Sequence, residues 1–212
     1  MVQLRDIRPC RRGEAVVVTA TDGSRWEVDP VEVRQWRLES GMQVDSSLRA
    51  RLDLAAQRLA ATRLAIRWLA HRARTTREIR QRLHRRGFEE GIIETVIDGL
   101  QEKGLLDDEA FAESWVRGRL TARPTGARRL RQELVQQGIA PSLAEEKVRQ
   151  MVKEEDEDRM ARQAALRAWA RYRGLDHATR RRRLAGYLRR RGFGWELIAA
   201  TLRELEDQER RG

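Results

Sequence analysis

Twelve arginines are the side chains of this sequence best suited to chemistry with a partner. Five are spaced through one helical stretch as Arg77, Arg80, Arg82, Arg85 and Arg86, and seven form two runs, Arg180, Arg181, Arg182, Arg183 and Arg189, Arg190, Arg191. A guanidinium stays charged at any accessible pH, and its planar fork of donors matches phosphate and carboxylate oxygens. Two basic helices make a stripe able to follow a phosphate backbone or an acidic filament surface. The whole chain carries 44 Lys plus Arg against 33 Asp plus Glu, a formal charge of +11. A polyanion is therefore the first partner to consider. Only Lys103, Lys147 and Lys153 are lysines, so a genome with Arg-rich codon usage accounts for part of the imbalance. The excess is local, however, with eleven positive against six negative side chains in residues 54–105 and fifteen against nine in residues 156–212. A single charge run is usually a solvated face; two at matching positions of a repeat point to function.

Catalytic chemistry finds little to work with. The acidic run Asp107, Asp108, Glu109 invites a metal-assisted hydrolase reading, but adjacent helical residues splay apart and no second carboxylate pair accompanies them. The chain lacks a GxxxxGK[ST] loop, an HExxH pair and a Ser or Cys nucleophile signature. Cys10 is alone, and His71, His84 and His177 do not stand at zinc-ligand spacing. The expectation is a protein that is not an enzyme, with no metal and no cofactor. No stretch approaches eighteen consecutive apolar residues and the N-terminus lacks a secretory pattern, so a soluble cytoplasmic protein is expected.

The elements that position the arginines repeat. "RQRLHRRGF" returns as "RQELVQQGI" and "AGYLRRRGF", in register on Gly87, Gly138 and Gly192, which are 51 and 54 residues apart. Ile79, Leu130 and Leu184 then align, as do Leu83, Leu134 and Leu188. After each glycine come Phe88, Ile139 and Phe193, followed by Ile92, Leu143 and Leu197, by Ile97, Val148 and Leu202, and by Leu100, Met151 and Leu205. This is helical spacing on both sides of a break, with the glycine in the left-handed conformation that ends a helix. A third helical segment upstream carries Trp68, Trp115 or Trp169, read as core pins. Thr75 with Glu78 has capping-box spacing, and Asp107 and Asp176 are expected helix caps. Pro124, Gly126 and Gly174 mark loops within the second and third units.

The implied architecture is mainly α, three tandem three-helix repeats in an elongated array whose neighbours share a core. The first residues differ: "EAVVVTATDGSRWEV" reads as a β-hairpin turning at Asp22-Gly23. Asp29-Pro30 with Glu32 then starts a short helix packed on the first repeat through Trp36 and Leu38. The expected divisions are 1–46 for this appendage, then 47–105, 106–155 and 156–212 for the repeats.

The stretches "RTTREIRQRLHRRGF" at 74–88 and "GLLDDEAFAESWV" at 104–116 resemble the RecX family of bacterial recombination regulators, and the resemblance extends over about residues 13–205. It implies a protein that binds the RecA nucleoprotein filament along its groove and lowers strand exchange, ATP hydrolysis and LexA cleavage. It also implies recombination, DNA repair and the SOS response as the setting. Gly104, Leu105, Asp107, Asp108, Phe111 and Ala112 match the family pattern with the chemistry of a helix stop, a helix start and core packing. The partner surface is assigned to the twelve arginines on charge alone. Weak contact with single- and double-stranded DNA and a monomeric state are expected. The alternative is a stand-alone, sequence-nonspecific DNA-binding protein, because short helices joined through Gly resemble helix-turn-helix geometry.

Overall fold

The computed structural model describes residues 1–10 and 14–211, so Gly13, at the start of the resemblance, lies outside the described residues. Among the described residues three strands and ten helices follow one another: β1 (Leu4–Pro9), β2 (Val16–Ala20), β3 (Arg25–Val28), α1 (Pro30–Gln35), α2 (Ser46–His71), α3 (Thr76–His84), α4 (Glu90–Glu102), α5 (Asp108–Ala122), α6 (Ala127–Gln137), α7 (Pro141–Met151), α8 (Glu154–Arg171), α9 (His177–Arg190) and α10 (Trp195–Arg211). They divide into two compact units. One comprises Met1–Arg74 with Glu78–Leu106, the other Thr75–Arg77 with the chain from Asp107 onward.

In the first unit the expected hairpin forms around Asp22 and Gly23, but it is part of a three-stranded antiparallel sheet in the order β1-β2-β3. Gly23 has a φ of +87°, and Ser24 donates its backbone N–H to the Asp22 carboxylate at 2.9 Å. That bond, reinforced by the Arg49 guanidinium, holds the Asp22 carboxyl down to about 2. β1 is held by its ladder to β2, with a register shift between Leu4 and Asp6. At α1, Asp29 and Glu32 form the capping box with Pro30 in the first turn.

The 26-residue α2 serves two cores. Its first half lays Leu48, Leu52 and Ala55 against Val18, Trp26, Val28 and Leu38 of the sheet side. Its second half presents Ala61 and Ala65 to Ile79, Leu83, Ile93, Val96 and Ile97 of α3 and α4. The four-residue spacing of these alanines places them on one face, where small side chains let α2 approach closely.

The second unit uses the same construction twice. Ala112 and Val116 of α5 pack with Leu130, Leu134, Ala144 and Val148 of α6 and α7 and with Ile139 of the turn between them. Ala161, Ala165, Ala168 and Trp169 of α8 pack with Leu184, Leu188, Ile198 and Leu202 of α9 and α10 and with Phe193 of the turn between them. Each second helix stops alike: Gly87, Gly138 and Gly192 have φ of +86°, +100° and +89°. The next residue returns its N–H five residues, from Phe88 to Leu83, Ile139 to Leu134 and Phe193 to Leu188 at 3.1–3.3 Å. This is the hydrogen bond of a Schellman stop. Asp107 and Asp176 cap α5 and α9 by accepting from Ala110 and Thr179, each at 2.9 Å.

The third helices bury the expected Ile97, Val148 and Leu202, and differ from the expected pattern only near their starts. Ile93, Ala144 and Ile198 are buried to 1% or less, whereas Leu143 and Leu197 lie at the core margin. In the second repeat the larger Leu143 is the expected core residue, but helix geometry places the smaller Ala144 inside.

In the second unit, helix heads seat directly on these glycines. Thr75 donates its hydroxyl to the Gln137 carbonyl at 2.8 Å, and the Arg77 side chain lies over Gly138. Gly126 donates its N–H to the Arg191 carbonyl at 2.9 Å, and Arg129 covers Gly192. A Cβ on Gly192 would stand 2.3 Å from the Arg129 Cβ, so the missing side chain is what permits the approach. At the position matching Thr75 and Gly126, the third repeat carries Arg180. There α9 begins one turn earlier than α3 or α6.

Candidate partner-binding surface

The α3 arginines divide by their partners. Arg80 pairs with Glu90 at 3.1 Å and Glu94 at 2.6 Å. Arg82 pairs with Glu78 at 3.1 Å and lies over the Trp68 ring at 5.5 Å. Glu78 also receives Arg72 and Arg74, and although burial raises its pKa, these guanidiniums hold the carboxyl below the ordinary range. Arg85 and Arg86, exposed on the turn leaving α3, have no ion pair among the described residues. Arg77 has none either, its stem being packed on Gly138.

The runs on α9 divide in the same way. Arg180 is 6% exposed, donates to Glu209 at 2.7 and 2.9 Å and to the Trp169 carbonyl at 3.2 Å, and stacks 3.6 Å from the Trp169 ring centroid. Its hydrogen bonds keep the Glu209 carboxyl below its ordinary value. Such a side chain has no face left for a partner. Arg181 reaches Glu206 at 3.1 Å, while Arg191 donates to the Pro124 carbonyl at 2.8 Å and lies over the Tyr187 ring at 4.9 Å. Arg182, Arg183, Arg189 and Arg190 are exposed and carry no ion pair among the described residues. Their seven-residue spacing sets Arg182 with Arg189, and Arg183 with Arg190, on adjacent rows of α9, each pair about 10 Å apart along the axis.

The three aligned tryptophans are not equally interior. Trp169 is 7% exposed, while Trp68 and Trp115 are half-buried at the margins of their cores. Trp115 stacks on Phe111 at 6.0 Å between centroids and lies beneath Arg119 at 4.8 Å. The acidic run at the head of α5 is divided among three partners. Asp107 caps α5, Asp108 accepts from the Thr76 N–H at 2.8 Å, and Glu109 pairs with Lys147 at 2.8 Å. Lys147 is itself buried, and hydrogen bonds to Glu109 and Glu113 raise its pKa.

One exposed residue was missed in the sequence. Trp195 opens α10 with 69% of its surface in water, beside a groove of about 510 Å³ between α9 and α10. Its signal was the loss of charge at neighbouring repeat positions, where Ala185 and Ala199 replace Arg80 and Glu94.

Three tandem three-helix sets define a helical-repeat protein. The chain matches three family models, the RecX first three-helix domain over residues 61–105, the second over 107–147 and the third over 154–202. Among curated relatives, the regulatory protein RecX of Chlorobium limicola is 31% identical over 145 residues, covering 68% of this chain and 89% of that protein. That of Halorhodospira halophila is 37% identical over 150 residues, covering 70% and 89%. The fold matches a crystal structure of regulatory protein RecX with a TM-score of 0.81 at 24% identity, covering 94% of this chain and 98% of that one. It matches RecX from Lactobacillus salivarius with a TM-score of 0.66 at 21% identity, covering 71% and 97%. This chain belongs to the RecX family of regulatory proteins, which are not enzymes.

Proposed function

We propose that this chain binds the RecA–DNA filament and modulates it, mainly by inhibiting its ATP hydrolysis, strand exchange and coprotease activity. The observation that carries the reading is the family match over all three three-helix sets. The open arginines of α3 and α9 support it, since they suit phosphate and acidic protein surface alike. Contact across neighbouring recombinase subunits would hinder the motions needed for ATP turnover or obstruct an incoming duplex. Many weak contacts along a filament add through effective concentration, so loss of one set costs more affinity than its own contacts supply. The chain acts as a monomer in the bacterial cytoplasm and touches single- and double-stranded DNA weakly. No described helix is long and apolar enough to cross a membrane.

The test is DNA-dependent ATP hydrolysis by the cognate RecA on single-stranded DNA, with this chain titrated far below one copy per recombinase subunit. Inhibition at such ratios supports action on the filament. No inhibition at equal amounts refutes it and leaves stand-alone DNA binding.

A further inference from the structure

The three repeats treat one position differently. In the first, Arg80 on the second helix reaches Glu90 and Glu94 on the third, and in the second Arg131 reaches Glu145 at 2.5 Å. These pairs latch the two helices across their open side. The third set has Ala185 where Arg80 and Arg131 stand, Ala199 where Glu94 and Glu145 stand, and Trp195 where Glu90 stands. Removing both partners leaves no charge unpaired, and exposed latches contribute little to stability, so the fold tolerates the change. Its result is the groove between α9 and α10, floored by Ala185, Gly186, Ala199 and Leu202 and walled by Trp195.

We propose that this groove is a docking slot for an acidic protein segment that inserts one apolar anchor side chain against Trp195. A tryptophan 69% exposed leaves a large apolar surface in water, and tryptophan is favoured at the energetic centres of interfaces. The slot's size suits one or two inserted side chains. Arg181, Arg182 and Arg189 line its rim. Arg181 already meets Glu206, and Arg182 acts on Asp176, the cap of its own helix, but Arg189 has no ion-pair partner among the described residues. Arg183 and Arg190 stand open on the adjoining row. The rim therefore favours carboxylates on the incoming segment.

The lining favours an apolar side chain over a nucleobase. Its rim arginines only donate, and with no Asn, Gln, Ser or Thr the amino groups of a base would find no side-chain acceptor. An aliphatic or aromatic side chain meets no such penalty.

The inference rests on the reading that the protein partner is the recombinase filament. Its test measures binding of the full chain to RecA filaments assembled on an oligo(dT) strand, and separately to the same labelled oligo(dT) alone. Two variants are compared with the parent: Trp195→Ala, and the double variant Ala185→Arg with Ala199→Glu, which rebuilds the latch of the other repeats across the slot. The double variant adds no net charge, and its geometry already exists twice in this fold. The expected result is at least tenfold weaker filament binding for both, with oligo(dT) binding within twofold of the parent. Filament binding within twofold of the parent for both variants overturns the slot and leaves the filament reading intact. Equal weakening toward bare oligo(dT) assigns the groove to nucleic acid and also overturns it. A parent chain that does not bind the filament overturns the reading beneath both.

Discussion

Three glycine-to-alanine substitutions separate backbone strain from close approach. Gly87 has a φ of +86° and open space where a Cβ would project. Gly87→Ala therefore carries only the left-handed backbone penalty, about 1–2 kcal/mol. Gly126 has an ordinary φ of −74°, but its Cβ would fall 2.4 Å from the Gly192 carbonyl carbon and 2.5 Å from its oxygen. Gly126→Ala carries no left-handed penalty; its cost is mainly the contact, about 2–3 kcal/mol, at the upper end of overpacking because backbone cannot rotate aside, with a smaller loss at the α6 N-cap. Gly192 combines a φ of +89° with a Cβ site 2.5 Å from the Arg129 backbone N, so Gly192→Ala is expected to cost about 3–5 kcal/mol. Since Gly126 and Gly192 touch, the double variant should cost less than the sum, the first alanine having already parted the segments. Hydrogen exchange read by mass spectrometry reports the α3, α6 and α9 amides separately, which a chain of two units requires. A neutral Gly126→Ala, or a Gly87→Ala as damaging as Gly192→Ala, would refute the reasoning.

Other substitutions sort the charged residues by role. Arg180→Ala removes the guanidinium between Trp169 and Glu209 and should destabilise α8–α10 by about 2 kcal/mol, whereas Arg183→Ala should leave the urea midpoint unchanged; equal effects would contradict the buried role. Lys147→Met leaves Glu109 and Glu113 without their shared ammonium and should lower the melting temperature more than Lys103→Met. Because the Lys147 pKa is raised, its stabilisation is fully present below the ordinary 10.5 and is lost only as pH rises through the raised value. The Asp22 carboxyl, lowered from 3.8 to about 2, stabilises the hairpin above its ordinary value and loses that effect as pH falls through the lower one. Its NMR titration should therefore show a midpoint near 2, and Asp22→Asn should remove this acid dependence from the Ser24 amide's exchange.

Much of the fold was legible because its signals are local. The stops at Gly87, Gly138 and Gly192, the caps Asp107 and Asp176 and the Asp29–Glu32 box all act within a few residues, so spacing alone identifies them. β1 escaped notice for a physical reason. Leu4 is its only buried residue, and Arg5, Asp6 and Arg8 break any alternation, so its pairing with β2 supplies what its side chains do not. Ala144 was overlooked beside Leu143 because an alanine hardly registers in an apolar pattern, although helix geometry makes it the core residue.

The sequence by itself determined the three repeats, their glycine stops, the caps Asp107 and Asp176 and the concentration of arginine around α3 and α9. Only the tertiary structure decided which arginines remain open. Arg80 and Arg180 looked like members of one basic stripe, yet Glu94 and Glu209, 14 and 29 residues away, engage them across helices. A charge's availability depends on neighbours brought near by packing, which no local pattern encodes. The same holds for the slot beside Trp195, which exists because two facing positions on separate helices are both alanine.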